Sequence, residues 1–449
     1  MNRRSLGVIA AVAAVALVAL AGCSSSGASG DKTIKIAYQK FGNFTQMDSQ
    51  MKSVKKQYEK LHPGVTVDLI PIQADENDYY TKLTLMNKSA STAPDVSYED
   101  TFLIKSDVQA GYLLPLDSYL SKWADWSKFY SNAKDAAKGD DGKTYGVSLG
   151  TDTRALWYNK TLFAQAGLPV PWEPKTWDDV LAAAKTIKDK LPGVVPFNIY
   201  SGKAGGEAST MQGFEMLLYG TKDQLTDSSG KWVTGSKGFT DSLQFVKDVY
   251  QGGLGPTPAQ ALDPQVGNTI ATQWIPQGKL AIDLDGSWLE GNWLSTGAAP
   301  WPQWKDTIGE VAMPTQNGQA PGSTSMSGGW TLAIGSKSKN PDLAWEFVSL
   351  ALNKENSQAY AIAGGQIAVR SDVAEDPTYL KSASAPELFT KIVDVTHFRP
   401  ATSVYPQVSN AITVAMEAVM TGQQSPSEAA AAYDSSVTQI VGADKVAKG

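Results

Sequence analysis

The sequence predicts an α/β fold assembled from more than one unit. Three observations carry that expectation. From Asp31 the apolar pattern switches period, from Ile34, Ile36 and Tyr38, to a helical face of Met51, Val54, Tyr58 and Leu61, to Val65, Val67 and Leu69. That is a βαβ unit of the kind that builds a parallel sheet. The run GKLAIDLDGSWLEGNW, Gly278 to Trp293, alternates Leu280, Ile282 and Leu284 with Ala281, Asp283 and Asp285 before breaking at a glycine turn. Finally, 449 residues exceed one ordinary domain, and about 150 residues per domain gives two or three units with ample core.

The first 22 residues stand apart from the fold. Arg3 and Arg4 precede an apolar run from Leu6 to Leu20 and the sequence Leu20-Ala21-Gly22-Cys23, the pattern of an export signal. The run is shorter than the roughly 20 residues that span hydrocarbon. LAGC resembles the bacterial lipobox, in which the cysteine receives a diacylglyceryl group and becomes the mature N-terminus. Cys23 is therefore the expected lipidation site, with residues 1–22 a lipoprotein signal peptide and 23–30 a flexible tether. Two acyl chains on one residue anchor a protein to a membrane without spanning it. Cys23 is also the only cysteine, so no intrachain disulfide can form.

The formal charge is −6, and loss of Arg3 and Arg4 would make it more negative, which argues against nucleic acid as a partner. His62 and His397 are the only histidines. They lie far apart in sequence, which gives no support to a histidine metal site or catalytic triad.

After the opening βαβ unit, Pro63-Gly64 breaks the first helix, Ala93-Pro94-Asp95-Val96 leads into a short strand, and Tyr145 to Leu149 supplies another. Ala155 to Tyr158 reads as a strand, followed by a helix from Lys160 to Ala166 that Gly167 closes. Thr176 with Asp179 three residues on marks the start of a helix over Trp177 to Lys190. Asn340-Pro341 starts another, with Leu343, Ala344, Phe347, Val348 and Ala351 inward. Ile412, Ala415, Met416, Val419 and Met420 give a last long helix, stopped by Gly422. The stretches Ser201 to Gly206, Gly252 to Pro258, Ala298 to Pro302 and Thr315 to Gly329 read as loops.

Several segments, in order and spacing, resemble the extracellular solute-binding proteins of ATP-driven (ABC) importers, in the maltose-binding-protein-like group that carries sugars and oligosaccharides. They are APDVSYEDTFLIKSDVQAGYLLPLDSYL from Ala93, ALWYNKTLFAQAGL from Ala155, TWDDVLAAAK from Thr176, GKLAIDLDGSW from Gly278, GGWTLAIGSKSKNPDLAWEFVSLAL from Gly328, then GGQIAVR and RPATSVYPQVSNAI. The resemblance runs from about Thr33 to Ala431 and implies a two-lobed periplasmic-binding-protein-like fold of type II. Each lobe would be a mostly parallel sheet flanked by helices, and the chain would cross between lobes three times. The crossings fall near Ser148 to Asp152, Trp330 to Ala333 and Ser371 to Thr378, giving lobe 1 as 31–149 and 332–374 and lobe 2 as 150–331 and 375–449. Such lobes close on a ligand by hinge bending.

Ligands of open α/β sheets bind beyond the carboxyl ends of strands, and a sugar needs hydrogen-bond partners for its hydroxyls with an apolar surface for its C–H face. Asp283, Asp285 and Trp288 follow such a strand. The resemblance makes Trp288 the ring that stacks on a pyranose, the alternative being core packing, where Trp293 and Trp301 are expected. Asp152 at the first crossing is either a sugar ligand or a turn aspartate. Glu99 and Asp100 end the strand from Asp95 and either face the cleft or cap the next helix. Gly329, beside Trp330, gives close backbone approach or hinge freedom. Gln39 and Asn43, with Phe41, stand where the family often has a tryptophan. Arg399, near Tyr405, either binds ligand oxygens or bridges the lobes.

The resemblance implies a monomeric, lipid-anchored receptor on the outer face of the cytoplasmic membrane. It would hand a sugar to membrane-spanning subunits and their ATPase, without cofactor or catalysis. Two alternatives stand beside it. A glycoside hydrolase needs two opposed carboxyl groups, and a same-fold receptor for another solute, such as a peptide or a metal ion, needs a different cleft. The aromatic content favours sugars, and the lack of a histidine or cysteine cluster disfavours transition metals.

Overall fold

The computed structural model describes residues 32–42, 44–382 and 387–449. The expected signal peptide, Cys23 and the tether lie outside these residues, as does Asn43. The chain forms β1 (Thr33–Lys40), β2 (Thr66–Gln73), β3 (Val96–Asp100) and β4 (Gly146–Ser148). It then forms β5 (Arg154–Asn159), β6 (Val195–Asn198), β7 (Leu280–Gly286), β8 (Ile308–Val311) and β9 (Ser323–Met326) before β10 (Trp330–Ile334) and β11 (Thr396–His397). One sheet has the order β2-β1-β3-β10-β4 and a second the order β6-β7-β5-β8, while β9 and β11 pair beside the second.

These two sheets are the cores of two lobes. The helices α1 (Gln46–Leu61) and α2 (Glu76–Asn87) connect the first three strands. The period-two residues Ile34, Ile36 and Val96 pack with Leu332, Phe347 and Val348 in the first core. The second core gathers Leu156, Phe197, Ile282 and Leu284 with Val246 and Met416. Each such fully buried side chain contributes about 1.5–3 kcal/mol relative to exposure. The helix α3 (Trp177–Lys190) starts with a complete capping box between Thr176 and Asp179, as its sequence requires. In the first lobe α4 (Pro341–Ala351) buries Ala344, Phe347, Val348 and Ala351 and is followed by α5 (Lys354–Gly364).

Both sheets are mixed rather than mostly parallel. Strands joined by a helix within a lobe are parallel, as in β1 with β2 and β3 or β6 with β7. Strands that begin just after a crossing, β5 and β10, leave the cleft in the opposite sense and pair antiparallel with their neighbours. The second crossing, 327–329, precedes β10, so the expected border at 331/332 falls inside a strand of the first lobe. The helices Ser371–Ala374 and Pro377–Leu380 pack beside α5 through Ala361, Val373 and Tyr379. The chain through Leu380 therefore stays with the first lobe, so the expected crossing at Ser371 to Thr378 falls within that lobe, while Phe389 belongs to the second lobe's apolar core.

The long helix expected around Ile412 is α6 (Tyr405–Met420), but it is not the last. Pro426–Val441 forms α7, whose Ser425–Glu428 capping box repeats the device of Thr176 and Asp179. Within the expected loop Thr315 to Gly329, β9 forms and Ser325 bonds both the backbone N–H (2.9 Å) and C=O (3.0 Å) of Arg154. No described helix is long and apolar enough to cross a membrane.

Candidate functional site: the cleft between the lobes

A cavity of about 260 Å³ lies between the lobes, at the small end of sites for small molecules. Gln46 of α1 donates to the Gly291 carbonyl at 3.3 Å, and Asn77 of α2 donates to that of Lys203 at 3.4 Å, so the lobes touch on either side of it.

On the first-lobe wall, alternation along β3 turns Tyr98 and Asp100 into the cavity. Trp330, which faces Asp100 in register at the start of β10, stacks on Tyr98 with ring centres 4.2 Å apart and planes 7° apart. Its ring also lies 5.9 Å from that of Tyr80 at 27°. These stacked rings make an aromatic face whose leading member, Trp330, is half-buried. At the mouth of this wall Glu76, the first residue of α2, is half-buried. Burial, then the carboxylates of Asp100 and Glu207, push its carboxyl up to about 8 against the pull of Arg399 and Arg154.

On the second-lobe wall, β7 presents Asp285 one residue before its end. Its carboxylate accepts the Tyr200 hydroxyl at 2.9 Å and the Gly286 N–H at 2.7 Å, and burial still pushes it up to about 6. Arg154, opposite Gly286 in register, lays its guanidinium over the Trp288 ring at 4.6 Å. The ring folds back so closely on β7 that a Cβ at residue 286 would lie 2.0 Å from it, so any larger residue there must displace the ring. Arg154 is held by an ion pair with Asp152 and a 3.2 Å bond to the Met326 carbonyl. Asp152 also accepts the Gly328 N–H at 2.9 Å.

Arg399 bridges the walls. Its guanidinium meets Asp100 of the first lobe at 2.5 Å and Glu207 of the second at 3.0 Å. It also lies 4.3 Å over the Phe102 ring. Opposite charges offset the cost of burying this cation, whose proton is held more tightly than usual.

Of the residues singled out in the sequence, Gln39, Asp100, Asp152, Asp285, Trp288, Gly329, Trp330 and Arg399 all line the cavity. Gln39 donates to the Ala74 carbonyl at 3.3 Å. Gly329 has φ 155°, and a Cβ there would lie 2.7 Å from the Gly150 carbonyl oxygen, so it serves close packing at the crossing. Three candidates do not reach the cavity. Glu99 projects from the opposite face of β3 and accepts from Ser97 at 2.7 Å. Asp283 sits one pleat back from Asp285, 1% exposed, bonded to Asn198 at 2.8 Å. Tyr405 stands behind the wall, donating to Glu215 at 2.7 Å. Burial raises the carboxyls of both Glu99 and Asp283 well above their usual range.

Sequence reasoning missed Tyr98, Glu76, Arg154, Tyr200 and Glu207. Arg154 starts a strand, whereas ligands of open sheets are expected at strand carboxyl ends; Tyr98 lies two residues before Asp100 on the same face. Trp293 is core, donating its ring N–H to the Ala271 carbonyl at 2.8 Å. Among the described residues no group of three histidine, cysteine or acidic side chains could hold a metal ion.

Comparison with known proteins agrees with this geometry. A family model described as bacterial extracellular solute-binding protein matches residues 42–358. The galactooligosaccharide-binding protein of Bacillus subtilis is 25% identical over 351 residues, covering 77% of this chain and 76% of that one. An ABC transporter solute-binding protein of Thermotoga lettingae, solved with alpha-D-tagatose, superposes with a TM-score of 0.79 at 24% identity, over 91% of this chain and all of the other. Maltose-bound MalE3 of T. maritima gives 0.77 at 20% identity, over 91% and 100%.

Proposed function

Because the chain belongs to the bacterial extracellular solute-binding proteins, we propose that it is the carbohydrate receptor of an ABC importer, delivering a sugar or oligosaccharide by hinge closure. The observation that carries this reading is the cavity itself. The stacked face of Tyr98 and Trp330 on one wall suits the C–H face of a pyranose, and the polar ends of β3, β5 and β7 suit its hydroxyls. The sugars and oligosaccharides named for similar proteins agree with it.

In this reading Cys23 carries the lipid that keeps the receptor on the outer face of the cytoplasmic membrane. The closed monomer docks on two membrane-spanning subunits driven by their ATPase. The ligand drives closure only as far as it binds the closed form better than the open one. The reading expects no bond of the sugar to be broken, and the ion pairs that hold Asp100, Asp152 and Glu207 support it.

One observation favours a second reading, a glycoside hydrolase: burial and the carboxylates of Asp100 and Glu207 push the Glu76 carboxyl up to about 8, the direction a general acid needs. Incubating the purified protein with a panel of saccharides, while following melting temperature and product chromatography, separates the two. The receptor reading expects a stabilising saccharide that is recovered unchanged. Steady conversion of that saccharide would replace it with the hydrolase.

A further inference from the structure

Five acidic side chains other than the helix cap Asp75 line the cavity, and two arginines face them. Both arginines are already engaged, Arg154 with Asp152 and Arg399 with Asp100 and Glu207. Asp285 is held by Tyr200 and Gly286. Glu76 is left with no hydrogen bond or ion pair to any described residue, in a cavity that holds no uncommitted protein cation.

A second observation concerns what else the ligand must bring. Arg154 is only 4% exposed and lines the same cavity, yet its Nε–H is buried without an acceptor. A buried donor left unmet costs free energy, so the occupant should present an acceptor oxygen there, as a sugar hydroxyl does. An anionic sugar would meet the surplus of like charge, a neutral one would leave the Glu76 carboxyl in its uncharged form, and only a cation would pair with its carboxylate.

Resting on the carbohydrate reading above, we infer that the ligand is a saccharide bearing a protonated amine, and that Glu76 is the residue that selects it. The ammonium would sit against the Glu76 carboxylate while hydroxyls meet Arg154 and the second wall. The environment of Glu76 is consistent with this. Burial and the neighbouring carboxylates disfavour its charged form, and an ammonium beside it would restore that form.

The test is calorimetry at pH 6.5, where a sugar amine is protonated. The titrants are gluco-, galacto- and manno-configured mono- and disaccharides, each as the neutral sugar, the 2-amino-2-deoxy sugar, its N-acetyl derivative and the uronic acid. The amino form should bind about ten-fold or more tightly than its neutral counterpart, the size expected of a hydrogen bond between charged groups. N-acetylation should erase that preference, and so should Glu76→Gln, with ligand-free melting recorded to show that the variant is folded. Equal or tighter binding of the neutral form, or a preference that survives Glu76→Gln, overturns the inference while leaving the carbohydrate reading in place. Failure of every saccharide to bind overturns both.

Discussion

In the first lobe β3 arrives at the cleft with Asp100 and pairs in register with Trp330, the first residue of departing β10. In the second lobe β7 arrives with Gly286 and pairs with Arg154, the first residue of departing β5. The scaffold is the same, but the partners differ. Asp100 accepts the Tyr80 hydroxyl of its own lobe at 3.0 Å and is also ion-paired with Arg399 of the opposite lobe, whereas Asp285 is satisfied entirely within its own lobe by Tyr200 and Gly286. The aromatic on the first wall stacks on rings of its own lobe, while Trp288 carries the guanidinium of Arg154. One wall thus holds the lobes together, and the other presents a pre-arranged binding surface.

The largest expected effect tests the bridging half of that contrast. Arg399→Ala leaves Asp100 and Glu207 buried without their cation and should cost about 3–5 kcal/mol in urea unfolding. Tyr200→Phe, which removes one bond to Asp285, should cost only about 1.5–3 kcal/mol. Equal losses would erase the distinction between the walls. A smaller effect sharpens the picture of the second wall. Gly286→Ala must push the Trp288 ring away from its seat and should weaken saccharide binding about ten-fold, or about 1.4 kcal/mol. Unchanged affinity would mean that the position of the ring does not matter.

The remaining effect is on pH dependence and is spread over several pH units. Burial pushes Glu215, behind the cavity, up to about 8 from its ordinary 4.5. Between those values the native state keeps a proton that the unfolded state releases, so this group makes stability fall as pH rises through the window and then level off near pH 8. Glu215→Gln should flatten the fall by at most about 1.4 kcal/mol per pH unit. Urea melts at pH 5.5 and 8.5 check this, and an unchanged slope would show that Glu215 is ionised throughout.

Much of the fold was legible because period and caps agree locally: Ile34, Ile36 and Tyr38 for β1, Thr176 and Asp179 for α3, Asn340-Pro341 for α4. The helix α7 escaped because its start, Ser425-Pro426, follows so soon after Gly422, and its alanine-rich body has a weak apolar stripe. Site residues were legible where a strand runs toward the cleft, which is how Asp100, Asp285 and Trp288 were found. Glu99 was misplaced because neighbours on a strand face opposite ways, and Asp283 because a residue two positions back shares the face without sharing the depth. Arg154 and Glu76 could not be read as strand ends at all. One opens a strand and the other opens a helix, and only the packing of the two lobes brings them together.

Trp288 offers the most direct test of a saccharide site between these walls. Calorimetry of Trp288→Ala, with the saccharide that most raises the melting temperature of the parent, should show affinity reduced by about 1–3 kcal/mol, the size of a lost aromatic contact, because the ring lines the cavity and seats the Arg154 guanidinium there. That is about ten- to over one hundred-fold in Kd, with ligand-free unfolding close to parental. Near-parental affinity, together with the roughly 3–5 kcal/mol loss of stability typical of a core aromatic, would contradict a saccharide site between these walls.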